Sequence, residues 1–382
     1  MVGYRCCLLL CCGLIAAPSL AGEGEWSHEI GLNTGYDSNP LKLPENEQGG
    51  GFTEAAFDGS FDFDYSRRHA FHLDLEAAAR RYGSSLSDAD TTRAGLTAGF
   101  ELTPYVEDFS ALELDLGTRL TGRRATFTSR QTGEVYEIDD GSGTLVALPD
   151  RFDYNRVEVF ADLEWRLNLR TQLFLDTEYT FKDYVEDYDS VATVESLDYG
   201  GLTFRPGARF DATRLLEVEL SAVRTGREYD ERTAVDATGT SVPGTLREYV
   251  TTGLDAKLRL RPESRWRWTF GLETLDREDS YAGYYDYSSW TARALSRFRV
   301  SSRDRLRLYA SFSDREYDNS TVNSEVNGEL RSSETLRLRA AYTRKLSRRF
   351  DVTAEVGLRS VDNPNPLYEY DRNSLGVWIS YN

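Results

Sequence analysis

Charged and apolar residues alternate with a period of two on both sides of a tight turn at residues 257–268, "KLRLRPESRWRW". Successive side chains of a β-strand point to opposite faces, so this pattern predicts two neighbouring strands, each with one charged and one apolar face. Two folds accommodate such strands. In a soluble sandwich the apolar faces pack against a second sheet. In a transmembrane barrel they meet lipid, and the charges line a wet interior.

The same alternation recurs as far as the last residue, and no stretch has a sustained helical period. It predicts sixteen strands, at residues 26–37, 53–66, 69–83, 92–103, 109–127, 153–168, 171–183, 197–210, 214–229, 247–261, 265–277, 288–301, 304–316, 333–346, 349–361 and 372–382. Tight joints, such as those at 66–69 and 104–108, alternate with long polar connections, as in an outer-membrane barrel. An even number of strands closes such a barrel without a free edge. Aromatic residues near segment ends, among them Trp26, Tyr82 and Trp378, are expected to form interfacial girdles.

The N-terminal segment has the features of an export signal. Arg5 precedes an apolar run, and Ser19 and Ala21 form a small-x-small cleavage site, so residues 1–21 are predicted to be a signal peptide. All four cysteines lie within this segment, which leaves residues 22–382 without a disulfide or a thiolate metal site. The formal net charge of −18 argues against a nucleic-acid partner.

No apolar run after the signal is long enough for a transmembrane helix, so a membrane-spanning form of this chain must be a closed barrel. We therefore predict an all-β fold. It is a transmembrane antiparallel up-and-down β-barrel of about sixteen strands, which forms a single domain over residues 22–382.

The segment "GLNTGYDSNP", residues 31–40, contains the second half of the first predicted strand and the residues that follow it. Together with the signal and the barrel pattern, it resembles Gram-negative outer-membrane porin-type barrels. Residues 35–40 are similar to the first strand of β-barrel porins that are often linked to exopolysaccharide export. The resemblance implies a place in the cell outer membrane, contact with lipid and lipopolysaccharide, and assembly by the barrel-assembly machinery. The chain departs from the pattern at its end, where "VWISYN" makes Tyr381 penultimate and Asn382 last.

Side-chain parity places charges of opposite sign on opposite walls of the predicted lumen. The basic wall comprises Lys257, Arg259, Arg261, Arg265, Arg267, Arg293, Arg297, Arg299, Arg305, Arg307, Arg337 and Arg339. The acidic wall comprises Asp58, Asp62, Asp64, Asp74, Glu76, Glu101, Glu113, Asp115, Glu158, Asp162 and Glu164. Opposed charged walls create a transverse field that orients polar solutes. The alternative is that neighbouring charges pair and plug the lumen.

The longest connection, residues 128–152, joins the fifth and sixth segments. In sixteen-stranded porins of the kind that this chain resembles, the equivalent loop folds inward as a constriction. The resemblance thus implies a constriction that carries Glu134, Glu137, Asp139, Asp140 and Asp150. Alternatively, "VYEIDDGSGTLVAL" predicts a hairpin around "DDGSG" that extends the barrel outward.

Few residues of the sequence are candidates for catalysis or for binding a cofactor. His28, His69 and His72 are the only histidines, and all fall at the predicted periplasmic end, where a catalytic base for outer-leaflet chemistry is not expected. No phosphate loop, dinucleotide fingerprint or zinc pattern indicates a cofactor. Acidic loop clusters at 37–39, 139–140, 318–319 and 362–363 offer oxygen ligands for Ca²⁺, but Asx-rich turns explain them equally well.

These observations predict a protein that is not an enzyme but a porin-like, water-filled channel for hydrophilic solutes. Two alternatives stay open. One is a dedicated conduit for exopolysaccharide export, and the other is a plugged barrel with a structural or surface-binding role. The sequence leaves the oligomeric state and the solute undetermined.

Overall fold

A computed structural model describes residues 23–66, 68–107, 109–140, 142–184, 195–263, 265–322 and 328–382. The predicted signal peptide lies outside the described residues. The strands are β1 Glu23–Asp37, β2 Gly50–Ser66, β3 His69–Tyr82, β4 Thr91–Glu107, β5 Ser110–Ala125, β6 Glu137–Asp139, β7 Leu145–Ala147, β8 Tyr154–Arg166, β9 Thr171–Tyr184, β10 Tyr199–Asp211, β11 Leu216–Val235, β12 Ser241–Glu263, β13 Trp266–Asp279, β14 Tyr287–Arg299, β15 Asp304–Thr321, β16 Leu330–Lys345, β17 Phe350–Asp362 and β18 Tyr370–Tyr381. Among the residues that the structure describes, the short 3₁₀ helices Ser84–Ala89 and Pro366–Tyr368 lie in connections. In the part of the chain just given, no helix is both long and apolar enough to cross a membrane.

Sixteen of these strands form one closed barrel, in which each strand pairs with its neighbours along the chain. The short strands β6 and β7 pair only with each other, so β5 pairs directly with β8. Strands β1 and β18 are antiparallel and close the ring. This topology confirms the predicted all-β, up-and-down barrel of sixteen strands.

The apolar residues of the alternating pattern lie on the outer face of the barrel, where they stay exposed. Among them are Leu32, Val159, Leu220, Leu254, Leu338 and Ile379. The residues between them in each strand carry the charges and line the interior. In a sandwich these apolar side chains would be buried against a second sheet, so the soluble alternative is excluded. Such an outer face is typical of a barrel that spans lipid.

The ends of the barrel differ. Tight turns join β2 to β3, β4 to β5, β8 to β9, and so on around one end, called here the turn end. The other end, called the loop end, has the longer connections. Because the turn end of a bacterial barrel faces the periplasm, the loop end faces outward.

Two predicted connections are wrong. Residues 230–246 were expected to be a loop, but β11 and β12 continue through them as a long hairpin with register shifts between Glu228 and Val235. Beyond the lipid neither face of this hairpin has to be apolar, so the alternation that marks a strand is absent. Pro104 was placed in a tight joint, yet β4 continues to Glu107. A register shift between Leu102 and Tyr105 accommodates the proline, which has no N–H for the ladder.

The predicted aromatic girdle is also corrected at two positions. Trp26 is 49% exposed near the turn end, as an interfacial residue would be. Tyr82 and Trp378 instead face the lumen: the Tyr82 hydroxyl donates to Asp37, and Trp378 lines an inner cavity together with Arg80. Position near a strand end does not determine which face a residue occupies, because that depends on parity.

Candidate functional site

The interior of the barrel is strongly charged. The predicted basic residues all lie on the inner face of the barrel wall. Arg267 on β13 stands directly opposite Arg297 on β14, which in turn stands opposite Arg307 on β15. Arg299 and Arg305 form a further opposed pair. With Arg265 they line a cavity of about 570 Å³ near the turn end. We call Arg265, Arg267, Arg297, Arg299, Arg305 and Arg307 the inner arginine cluster.

Five of the other six residues of the predicted basic wall are neutralised by adjacent strands, and the sixth, Arg337, forms no ion pair among the described residues. Lys257 Nζ lies 2.9 Å from Glu219 Oε1 on β11, and Arg259 binds both Glu217 and Glu219. Arg261 also reaches Glu217, at 3.2 Å. Further along, Arg293 pairs with Glu273, and Arg339 pairs with Glu355.

The inner arginine cluster differs from those residues. Among the described residues, no carboxylate forms an ion pair with any of its six members. Like charges that face each other across neighbouring strands are destabilising. The cluster therefore concentrates positive charge at a cost in stability.

The predicted acidic residues lie on the inner face of β2 to β8. Asp58, Asp74, Glu76, Asp115 and Asp162 line a cavity of about 880 Å³. By strand register, Asp62, Asp64, Glu101, Glu113 and Glu164 occupy the same face. Two members of this wall have an arginine nearby: Arg156 and Arg119 lie 3.2 and 3.4 Å from the Glu158 carboxylate, and Arg209 lies 4.0 Å from that of Glu164. In the ring, β2 stands opposite β12 and β8 opposite β16, so acidic and basic faces oppose each other across the lumen.

The histidines lie at or near the turn end. His28 packs against Tyr381, with ring centroids 6.1 Å apart. His69 Nδ1 lies 2.7 Å from the Ser66 hydroxyl in the turn between β2 and β3. His72 projects into the lumen, where its Nε2 is 3.9 Å from Asp115 Oδ2.

At the loop end, part of the longest connection folds across the lumen. Gly133, at φ +79°, packs so closely on the first loop that a Cβ there would lie 3.1 Å from Leu41. Arg130 lies 4.9 Å from the ring centroid of Tyr368, which follows β17 in the chain. It shares a cavity of about 490 Å³ with Arg293, Arg315, Arg337 and Arg359, which we call the outer cavity.

The acidic residues predicted for a constriction take other positions. Strands β6 and β7 form the hairpin that "DDGSG" predicted, and Glu134, Glu137, Asp139 and Asp150 are exposed. Asp140 accepts hydrogen bonds from Ser142 and Thr144, which lower its pKa. None of these carboxylates lines the cavities described above. The inward position belongs to Arg130, a cation.

The motif "GYDSNP" forms a latch between the first and last strands. Asp37 is fully buried and accepts hydrogen bonds from Arg372 Nε at 2.9 and 3.0 Å and from the Tyr82 hydroxyl at 3.0 Å. Asn39 Nδ2 donates to the backbone oxygens of Leu43 and Asp371. Because Arg372 occupies the Asp37 carboxylate, the acidic cluster at 37–39 acts as a structural anchor.

This latch also directs the first loop, residues 38–49, inward at the loop end of the lumen, which we call the mouth of the barrel. Leu43 is 1% exposed, and Lys42 has a φ of +59°. Burial and the nearby charges of Arg372, Arg359, Arg130 and Arg123 lower the pKa of Lys42 to about 8. Of the residues that the structure describes, no group of three or more His, Asp or Glu side chains is placed to hold a metal.

A collar of tyrosines and cations lines the loop end of the lumen. Its ring pairs include Tyr199–Tyr229 and Tyr287–Tyr317, with centroids 5.6 and 5.4 Å apart. Lys182 lies 3.8 Å from the Tyr154 centroid, and Arg277 lies 4.3 Å from those of both Tyr249 and Tyr287. Aromatic faces hold cations in place without cancelling their charge. The sequence pattern does not predict this collar, although its tyrosines share the parity of the charged residues.

Comparison with known proteins gives no match in sequence and clear matches in fold. No protein-family model matches the chain, and no curated protein sequence does. The solved structure of Acinetobacter baumannii OccAB1 matches with a TM-score of 0.51 at 11% identity, over 93% of this chain and 96% of that one.

Two other solved structures illustrate the range of the matches. Pseudomonas aeruginosa OccK2 (OpdF), determined in complex with glucuronate, has a TM-score of 0.43 at 10% identity, over 94% of this chain and 98% of that one. A bacterial polysaccharide outer membrane secretin has a TM-score of 0.45 at 8% identity, over 93% and 97%. At such identities the likeness concerns the fold alone. The chain therefore has the fold of a Gram-negative outer-membrane porin-type β-barrel.

Proposed function

We propose that this protein is a porin-like, water-filled channel that passes hydrophilic solutes across the outer membrane. The observation that carries the proposal is the inner arginine cluster, which faces an acidic wall across the lumen and forms no ion pair with a described carboxylate. Charged groups without a partner are costly to bury in a dry interior. The cluster is therefore compatible with a hydrated lumen and argues against a lumen sealed by ion pairs.

The arrangement of charge suits a selective passage. A solute that enters between opposed walls experiences a transverse field, which orients dipoles and penalises apolar molecules. The charges around Glu217 and Glu219 are neutralised by ion pairs, whereas the inner arginine cluster remains available to solutes. Arg130 and the first loop narrow the mouth, so passage is expected to depend on solute size as well as charge.

Two other functions are candidates, an exopolysaccharide conduit and a plugged barrel. A conduit for exopolysaccharide is favoured by the tyrosine collar, because aromatic faces suit the apolar faces of sugar rings. A plugged barrel would need the mouth loops to seal the lumen completely. We also propose lipopolysaccharide as the outer-leaflet neighbour, the barrel-assembly machinery as the biogenesis partner, and no catalytic role.

Planar-bilayer recording tests the channel directly. Refolded protein, checked for folding by its heat-modifiable migration on gels, should give ohmic current steps in potassium chloride. Correctly folded protein that inserts but gives no current would contradict the proposal and support the plugged barrel.

A further inference from the structure

We propose that the outer cavity is a binding site for an acidic sugar, a pyranose unit that carries a carboxylate, as found in uronate-containing oligosaccharides. The inference rests on the proposed channel function and deepens it, because it names the class of solute and the place where the solute is held. Nothing in the charge pattern of the sequence alone singled out this cavity.

The outer cavity contains positive charge that has no ion-pair partner. Arg337 on β16 stands directly opposite Arg359 on β17, and within the described residues neither forms an ion pair. The buried Nε of Arg359 has no hydrogen-bond partner. Arg293, in contrast, is already paired with Glu273. Two opposed arginines without a carboxylate are destabilising by themselves, and an anion bound between them would remove that cost through charge-assisted hydrogen bonds.

The remainder of the lining contains two carboxylates, Glu273, which is paired with Arg293, and Asp314. The cavity presents small polar side chains that suit a polyol: Ser289, Thr291, Ser313, Ser333, Thr335 and Asn363. Tyr368 and Tyr370 add aromatic rings at its edge, each with an arginine over it. The volume of about 490 Å³ lies within the range of small-ligand sites. A site for a bare anion needs only the arginines, whereas hydroxyl groups and aromatic rings together indicate a sugar.

The inner arginine cluster serves as the internal comparison. Its cavity has a similar volume and more arginines, but it has fewer hydroxyl side chains and lacks a tyrosine. The rest of its lining comprises Phe298, Leu306, Ala341, the hydroxyls of Thr343, Thr353 and Ser380, and the carboxylates of Glu29, Asp351 and Glu355. Both cavities attract anions through the field of the basic wall. Of the two, the outer cavity combines that charge with tyrosine rings and with the larger set of hydroxyl and amide side chains, which are the groups that recognise a sugar.

Calorimetric titration of the folded protein in detergent with trigalacturonate tests the site. The protein should bind trigalacturonate and should bind the neutral trisaccharide maltotriose much more weakly. The double variant R337Q/R359Q should lose affinity for trigalacturonate by about tenfold or more, since hydrogen bonds to charged groups are the strong ones. The matched double variant R297Q/R307Q, which removes the same charge from the inner arginine cluster, should lose less than about threefold.

Three results would overturn the proposal: no binding of trigalacturonate, equal affinity for maltotriose, or equal losses in the two double variants. The last would mean that only the general field of the wall matters. Bilayer recording keeps the two proposals apart. Current steps without calorimetric binding refute the sugar site and leave the channel standing, whereas binding without current steps refutes the channel alone.

Discussion

Asp37 on β1 and Arg372 on β18 form a buried ion pair that joins the first and last strands of the barrel, 335 positions apart in the sequence. The two strands share only eight residue pairs, from Ile30–Tyr381 to Asp37–Ser374. The ion pair lies at the loop end of this ladder. It therefore fastens the seam where the backbone pairing stops and where the first loop turns into the mouth.

Asp37→Asn is expected to destabilise the barrel by about 3–5 kcal/mol, because the substitution leaves the buried Arg372 guanidinium without its counter-charge. The measurement is the free energy of unfolding from urea titration followed by tryptophan fluorescence. Arg81→Gln is the matched control, since Arg81 is 60% exposed in its pair with Asp90 and should contribute less than about 1 kcal/mol.

A second variant separates charge from packing. The double variant D37N/R372L should be more stable than D37N alone, because it removes the uncompensated charge. If D37N unfolds at the same urea concentration as the Arg81 control, the latch has no structural importance.

Gly117 on β5 leaves space for the ring of Phe160, which projects into the lumen from β8. A Cβ at this position would lie 2.3 Å from Phe160 Cζ and 2.5 Å from the backbone oxygen of Ala98. Gly117→Ala should therefore cost about 1–3 kcal/mol through overpacking. Gly226→Ala is the control, because a Cβ there has no atom within 4 Å, and it should be neutral or slightly stabilising. Equal unfolding free energies for the two variants would refute the close packing.

The strand pattern was predictable because lipid imposes it. Leu258 and Leu260 must face outward, so Lys257 and Arg259 must face inward, and the sequence shows this without any knowledge of tertiary contacts. The hairpin of β6 and β7 was predictable from its turn residues. Outside the lipid, as in residues 230–246, the alternation disappears and the prediction of a loop was wrong.

The pairing of charges was not predictable, because it depends on register between strands. Glu217 and Glu219 neutralise Lys257 and Arg259 only because the hairpin places them directly opposite. The inward position of Arg130 depends on contacts between two loops, for which the sequence gives no periodic signal. Likewise, the sequence predicts only a turn after Asp37. The ion pair with Arg372 gives no signal in the sequence, because Arg372 lies at the other end of the chain.

Lys42 should make the channel respond to pH. The surrounding arginines and burial lower its pKa from 10.5 to about 8, so the mouth loses one positive charge as the pH rises through that value. Anion preference, measured as the reversal potential in a salt gradient, should therefore fall between pH 7 and pH 9. Above pH 8 the folded protein binds fewer protons here than the unfolded chain, so the stability that this group contributes should increase with pH.

The controls for Lys42 are two substitutions. K42R keeps the charge at all these pH values and K42Q removes it, so both should abolish the pH dependence of the reversal potential near pH 8. Wild-type selectivity that stays constant from pH 7 to pH 9, or a K42R variant that still titrates, would show that Lys42 does not face the permeation path.

The inner arginine cluster should determine ion selectivity. The double variant R297S/R307S removes two charges that have no described carboxylate partner, so the reversal potential in a potassium chloride gradient should shift towards cations. R259S should shift it less, because Arg259 is engaged with Glu217 and Glu219. Arg348→Ser, at the exposed turn between β16 and β17, should leave selectivity unchanged. The shift should also shrink at 1 M salt, where the Debye length is about 3 Å. If R297S/R307S and Arg348→Ser give the same reversal potential, the solute path does not run along these arginines.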